Sequence, residues 1–69
     1  MPIDIARLKH HIEQRGLTGK KIANTLGIDE STYYRKLATG GTTFSVAQVQ
    51  ILTDILMLSK EEASKIFLP

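Results

Sequence analysis

The sequence predicts an all-α fold of five short helices in a single domain, and three features of its 69 residues predict it. An apolar residue, a polar cap and a second apolar residue (or Ala) five positions after the first recur five times. This is the hydrophobic staple around an N-cap: the cap oxygen takes an orphan backbone N–H while the apolar pair closes over the first turn. Glycines stand where the first three helices should stop. No alternating run is bounded by hairpin turn residues, so strand signals are absent.

Ile3, Asp4 and Leu8 open a helix over 5–15, and Gly16 ends it. Leu17, Thr18 and Ile22 open a second over 19–26, followed by Gly27. Ile28, Asp29 and Tyr33 open a third over 30–38, followed by Gly40-Gly41. Each glycine accepts the left-handed conformation past a helix end without steric cost. Phe44, Ser45 and Val49 open a fourth helix over 46–57, and Leu58, Ser59 and Ala63 a fifth over 60–67. These two carry capping boxes, Ser45 with Gln48 and Ser59 with Glu62. Asp29 is read as a helix cap and nothing more.

Helical periodicity assigns the core to Ile5, Leu8 and Ile12, then Ile22, Ala23 and Leu26, then Tyr33 and Leu37. The fourth helix is apolar over much of its girth, with Val46, Val49, Ile51, Leu52, Ile55 and Leu56. That predicts burial from more than one side and a central place in the bundle. The fifth adds Ala63, Ile66 and Phe67.

Composition excludes several classes of function. There is no Cys, so disulfides and thiolate metal sites are ruled out. No apolar run approaches the ~18 residues of a membrane span. Met1-Pro2-Ile3-Asp4 has neither the basic start nor the apolar stretch of a signal peptide. A soluble, cytoplasmic protein is the expectation. The net charge of +2 is mild but uneven. Residues 1–44 hold seven bases and four acids, and residues 45–69 hold two bases and three acids. This suggests a polyanion-facing half and a packing half.

The stretch 17–40 reads LTGKKIANTLGIDESTYYRKLATG. The link between the second and third helices is so short that they must cross steeply. Ala23 falls where these two helices come closest, and Gly27 makes the turn. With Ile28 and Tyr33 plugging the core, Glu30, Ser31, Tyr34 and Arg35 lie on the opposite face of the third helix, within the two turns that can enter a major groove. Arg35 suits the O6/N7 edge of guanine, Glu30 the N4 of cytosine, and Ser31 several bases. Tyr34 suits a sugar, a thymine methyl or a phosphate.

On these residues the segment resembles the helix-turn-helix of the Cro/repressor (Xre-like) family of phage and bacterial regulators, and the likeness extends through the last two helices. The resemblance implies a five-helix lambda-repressor-like DNA-binding domain with the helix-turn-helix at helices two and three, binding a short palindromic operator as a dimer. It implies base contacts from Glu30, Ser31 and Arg35. Phosphate contacts would come from Thr18, Asn24 and the loop with Gly41, Thr42 and Thr43. Lys20, Lys21, Thr32 and Lys36 complete the expected phosphate set. No catalytic activity, cofactor or small-molecule ligand is implied. Two positions depart from the family pattern. Gly19 stands where Gln is common, and Lys36, followed by Leu37, stands where an aliphatic residue is usual; Lys36 is expected to lay its stem on the core and send its ammonium towards a phosphate.

The apolar end Ile66-Phe67-Leu68 is either the last of the core or part of a two-fold interface, and a homodimer on DNA is expected. Other features have plainer readings. His10-His11 point about 100° apart on a helix and cannot chelate one ion as an i, i+4 pair does. Glu61-Glu62 suit the positive end of a helix dipole. No nucleophile–base–orienter set, phosphate loop or metal cluster points to an enzyme. The competing class is a protein-interaction module, antitoxin-like or antirepressor-like, that keeps the fold and binds protein through helix four and residues 66–68.

Overall fold

A computed structural model describes residues 3–69 of the chain. Five helices follow one another: α1 (Ile5–Gln14), α2 (Gly19–Leu26), α3 (Glu30–Ala38), α4 (Val46–Ile55) and α5 (Lys60–Phe67). No strand forms among the described residues.

The helix starts are set by short polar side chains. Asp4, Thr18, Ser45 and Ser59 accept the backbone N–H of Arg7, Lys21, Gln48 and Glu62, each at 3.1 Å. Gln48 and Glu62 reach back to the N–H of Ser45 and Ser59 at 2.9 Å, so both capping boxes form. The bonds from Ser59, helped by the charges of His11 and Arg15, hold the Glu62 carboxyl below its ordinary value of 4.5. α3 is the exception. Asp29 occupies the cap position, but its side chain accepts no cap bond, so the staple of Ile28 on Tyr33 starts this helix without help from the carboxylate.

The first four helices end by one device. The second residue past the cap donates to the carbonyl five positions back, and the residue before it to the carbonyl three back. This Schellman pairing needs a left-handed residue at its centre. After α1, α2 and α3 that residue is Gly16, Gly27 and Gly40, at φ +66°, +74° and +74°. After α4 it is Met57, at φ +52°, with Leu58 donating to Thr53 at 3.0 Å and Met57 to Asp54 at 3.1 Å. α4 therefore ends at Ile55, two residues before the expected boundary, at a turn that no glycine announces.

Leu8, Ile22, Leu52 and Ile66 are wholly excluded from solvent, with Ala23, Tyr33 and Leu56 nearly so. α2 packs against both α3 and α4, while α1 packs against α5. The central element is thus α2, and the expectation for α4 is corrected: Leu52 is its one buried residue, and Val46 is 88% exposed. Its second apolar face is left open. Ile66 is likewise corrected as a dimer contact, because it lies in the core; Phe67 is half-buried against that core, and Leu68 is exposed.

Backbone bonds tie the chain ends to this core. The Ile3 N–H donates to Gly40 at 2.9 Å and the Asp4 N–H to Ile66 at 2.8 Å. Arg15 Nε donates to the Leu56 carbonyl at 3.1 Å, covering the end of α4. A left-handed L-residue costs roughly 1–2 kcal/mol, an amount partly offset by the larger unfolded-state entropy that Gly brings. Met57→Gly should therefore raise stability by about 0.5–1 kcal/mol, read as a higher urea midpoint at unchanged m. A lower midpoint would show that the exposed Met57 side chain contributes packing that outweighs its backbone strain.

Candidate nucleic-acid interface

The roll of α3 decides which of its side chains face solvent. Tyr33 and Leu37, one turn apart, are 2% and 8% exposed and pack with Ile22, Ala23 and Leu26 of α2 in one core cluster. Ala23, without a long side chain, lets the two helices approach. Burial pushes the Tyr33 hydroxyl pKa above its ordinary value, with a smaller contribution from Tyr34; a buried phenol resists the charged form.

At about 100° per residue, the positions opposite Tyr33 and Leu37 are Ser31, Arg35, Ala38 and Thr39, and all four are exposed. Ser31 and Arg35 lie one turn apart on one face, as expected. Glu30 is exposed but lies towards the flank shared with Tyr34. Thr32 and Lys36, both half-buried, form the opposite flank. Ala38 and Thr39 were missed as members of this face, although their spacing from Ser31 and Arg35 was legible. The Thr39 hydroxyl donates to the Lys36 carbonyl at 2.9 Å.

Tyr34, 52% exposed, leans from the flank of α3 towards the start of α2. Its ring lies 5.2 Å from that of Tyr33 and lines a depression with Lys9 and Glu13 of α1 and Gly19 of α2. A Cβ on Gly19 would collide with the Tyr34 hydroxyl and come within 2.7 Å of Cζ. The bare backbone of Gly19 thus makes room for Tyr34.

Lys36 is held on the opposite flank of α3. Its Nζ donates to the Thr43 carbonyl at 2.9 Å and stands 5.8 Å from the centre of the Phe44 ring. The stem lies along the flank, and the ammonium pins the loop that follows α3. That leaves Lys36 with two further N–H donors beside the loop.

The remaining expected phosphate contacts divide by what their donors already do. Lys20, Lys21 and Asn24 on α2 are exposed. Thr18 uses its oxygen as an acceptor for Lys21, so its hydroxyl proton stays available. Thr42 is exposed, with its hydroxyl donating to the Thr39 carbonyl at 3.2 Å. Thr43 is exposed beside Thr32, Arg35 and Thr39. Gly41 is a correction. It is buried, its N–H donates to Lys36 at 2.9 Å, and Ile3 covers it so closely that a Cβ would meet Ile3 Cδ1 at 2.7 Å.

No family model matches this chain, and comparison with curated proteins and with solved structures gives no significant match. The residues themselves therefore carry the functional reading. Together they present Ser31 and Arg35 at the centre of one exposed face, with Lys20 and Lys21 on the neighbouring helix and the Thr42–Thr43 turn beside Lys36. His10 and His11 lie apart from this face, edge to face at 5.9 Å, and no group of three His, Asp or Glu converges among the described residues. No helix among them is long and apolar enough to cross a membrane.

Lys36→Met keeps the stem and removes the ammonium. The loop should loosen locally, with the Phe44 amide (hydrogen-bonded to Gly41 at 3.2 Å) exchanging several-fold faster, as expected when a bond worth about 1 kcal/mol is lost. Unchanged exchange would mean that Lys36 does not hold the loop.

Proposed function

We propose that this chain is a sequence-specific double-stranded DNA-binding regulator, a Cro-like repressor whose α2 and α3 act as a helix-turn-helix with α3 in the major groove. One observation carries the reading: Tyr33 and Leu37 turn inward, which leaves Ser31 and Arg35 exposed on the face opposite. Arg35 then addresses a guanine through its two parallel donors, and Ser31 hydrogen-bonds an adjacent base. Thr18, Lys20, Lys21, Asn24 and Lys36 contact phosphates on either side, fixing register without reading sequence.

Selection from a random DNA pool tests this directly and should return a short palindromic consensus. Arg35→Ala should weaken binding to that consensus by ~1–3 kcal/mol and relax one base position. Lys21→Ala should weaken all duplexes about equally and reduce the salt slope by about 1. Salt-independent binding, or an unchanged consensus after Arg35→Ala, would remove these residues from their roles.

A second copy is assigned to the open side of α4. A groove of about 610 Å³ runs between α4 and α5, lined by Phe44, Val46, Val49, Ala63, Phe67 and Leu68. Val46 and Leu68 are 88% and 78% exposed at its rim. Two-fold pairing there would bury both residues and set two α3 helices about 34 Å apart, one turn of DNA. In sedimentation with the palindromic duplex, wild type should bind two chains together, and Leu68→Glu should bind them singly and more weakly. The same groove favours a second reading, in which it receives a different protein. Failure to bind any duplex at low salt would select that reading.

A further inference from the structure

In the DNA-binding reading Tyr34 lies on a flank of α3, half-exposed, with its hydroxyl end at Gly19 rather than on the face that holds Ser31 and Arg35. We propose that Tyr34 is a positioning residue for that face, and that the bare Gly19 is what allows it to act; the inference rests on the DNA-binding reading above. The ring of Tyr34 leaves α3 on the flank and seats against Gly19 at the start of α2, beside Lys9 and Glu13 of α1. One side chain of α3 thereby reaches the start of α2, at the edge of a depression shared with α1.

The benefit is geometric. Tyr33 and Leu37 attach α3 along a single stripe, and a helix held along one stripe can still rock about its axis. Tyr34 and Lys36 leave α3 on opposite flanks, and each is anchored: the ring against Gly19, the ammonium on the Thr43 carbonyl. Together they resist rotation in either direction. A bidentate contact tolerates only about 10–20° of misorientation, so the flanks control whether Arg35 meets its base squarely. A tyrosine ring suits this work because it has few rotatable bonds to order. A Cβ at position 19 would overlap the hydroxyl end of the ring, which would have to shift from this seat.

The test compares the preference for the selected duplex over a random one in four variants: Tyr34→Phe, Tyr34→Ala, Gly19→Ala, and Gly19→Ala with Tyr34→Ala. Tyr34→Phe keeps the ring and should stay within about twofold of wild type. Tyr34→Ala and Gly19→Ala should each lose about tenfold in preference, the equivalent of roughly one base contact, while affinity for the random duplex changes little. The double variant should lose no more than Tyr34→Ala alone, since no ring remains to be displaced. Ala is the better helix former at position 19, so a loss there would not be due to a weakened α2; circular dichroism confirms folding for each variant.

A loss in Tyr34→Phe equal to that in Tyr34→Ala would mean that the hydroxyl touches DNA, and would overturn the positioning role. Full preference in Tyr34→Ala or Gly19→Ala, even with a lower melting temperature, would reduce the pair to ordinary packing and overturn it too. Wild type with no preference for any duplex would instead overturn the DNA-binding reading, and this role with it. Wild type that discriminates normally while all variants match it would overturn only the role of Tyr34.

Discussion

The seating of Tyr33 and Leu37 on α2 is the constraint on which the rest of the molecule depends. These two residues belong to the same buried cluster as Ile22, Ala23 and Leu26, and their position on α3 settles the direction of every other side chain on that helix. In a chain this short the core is thin, and few other contacts could compensate if this seam slipped. The turn between the helices leaves little freedom: the Ile28 N–H is bonded to Ala23 at 3.0 Å and the Gly27 N–H to Asn24 at 3.1 Å. The exposed face of α3 is therefore a consequence of what is buried beneath it.

The loop after α3 is held to the core from two directions. From inside, Gly40 accepts the Ile3 N–H and Gly41 lies under the Ile3 side chain. From outside, Lys36 reaches across to Thr43. Two residues that look like loop-surface features in the sequence, Gly41 and Lys36, are thus parts of the scaffold. The loop can present Thr42 and Thr43 because its other members are committed inward.

Burial is unevenly shared among the helices. α2 buries Ile22, Ala23 and Leu26 against α3 and α4, whereas α4 contributes Leu52 and then Leu56 just past its end, and turns Val46 outward. Five helices of eight to ten residues cannot cover both faces of α4 while α1 is occupied by α5 and α3 by α2. Uncovered apolar area in so small a protein loses hydrophobic stabilisation that a contact with another molecule can recover.

The sequence alone determined the helices, because their starts and most of their stops are local. A cap needs one oxygen and three residues, and a staple needs two apolar groups five apart. The expectations for α1, α2, α3 and α5 accordingly differ from the observed bounds by at most one residue. The inward Tyr33 and outward Arg35 were legible for the same reason, since period and turn length lie within one segment. Distance in the chain defeated the remaining expectations. The apolar girth of α4 could not reveal which of its faces finds a neighbour, nor could the run at 66–68 show that Ile66 is buried, Phe67 half-buried and Leu68 exposed. Gly19 looked like a missing side chain until Tyr34, fifteen positions later, was seen to fill its space. Local hydrogen bonds and periodicity act within a few residues and can be read from the chain. Which surface is covered depends on which helices arrive beside it, and only the folded arrangement decides that.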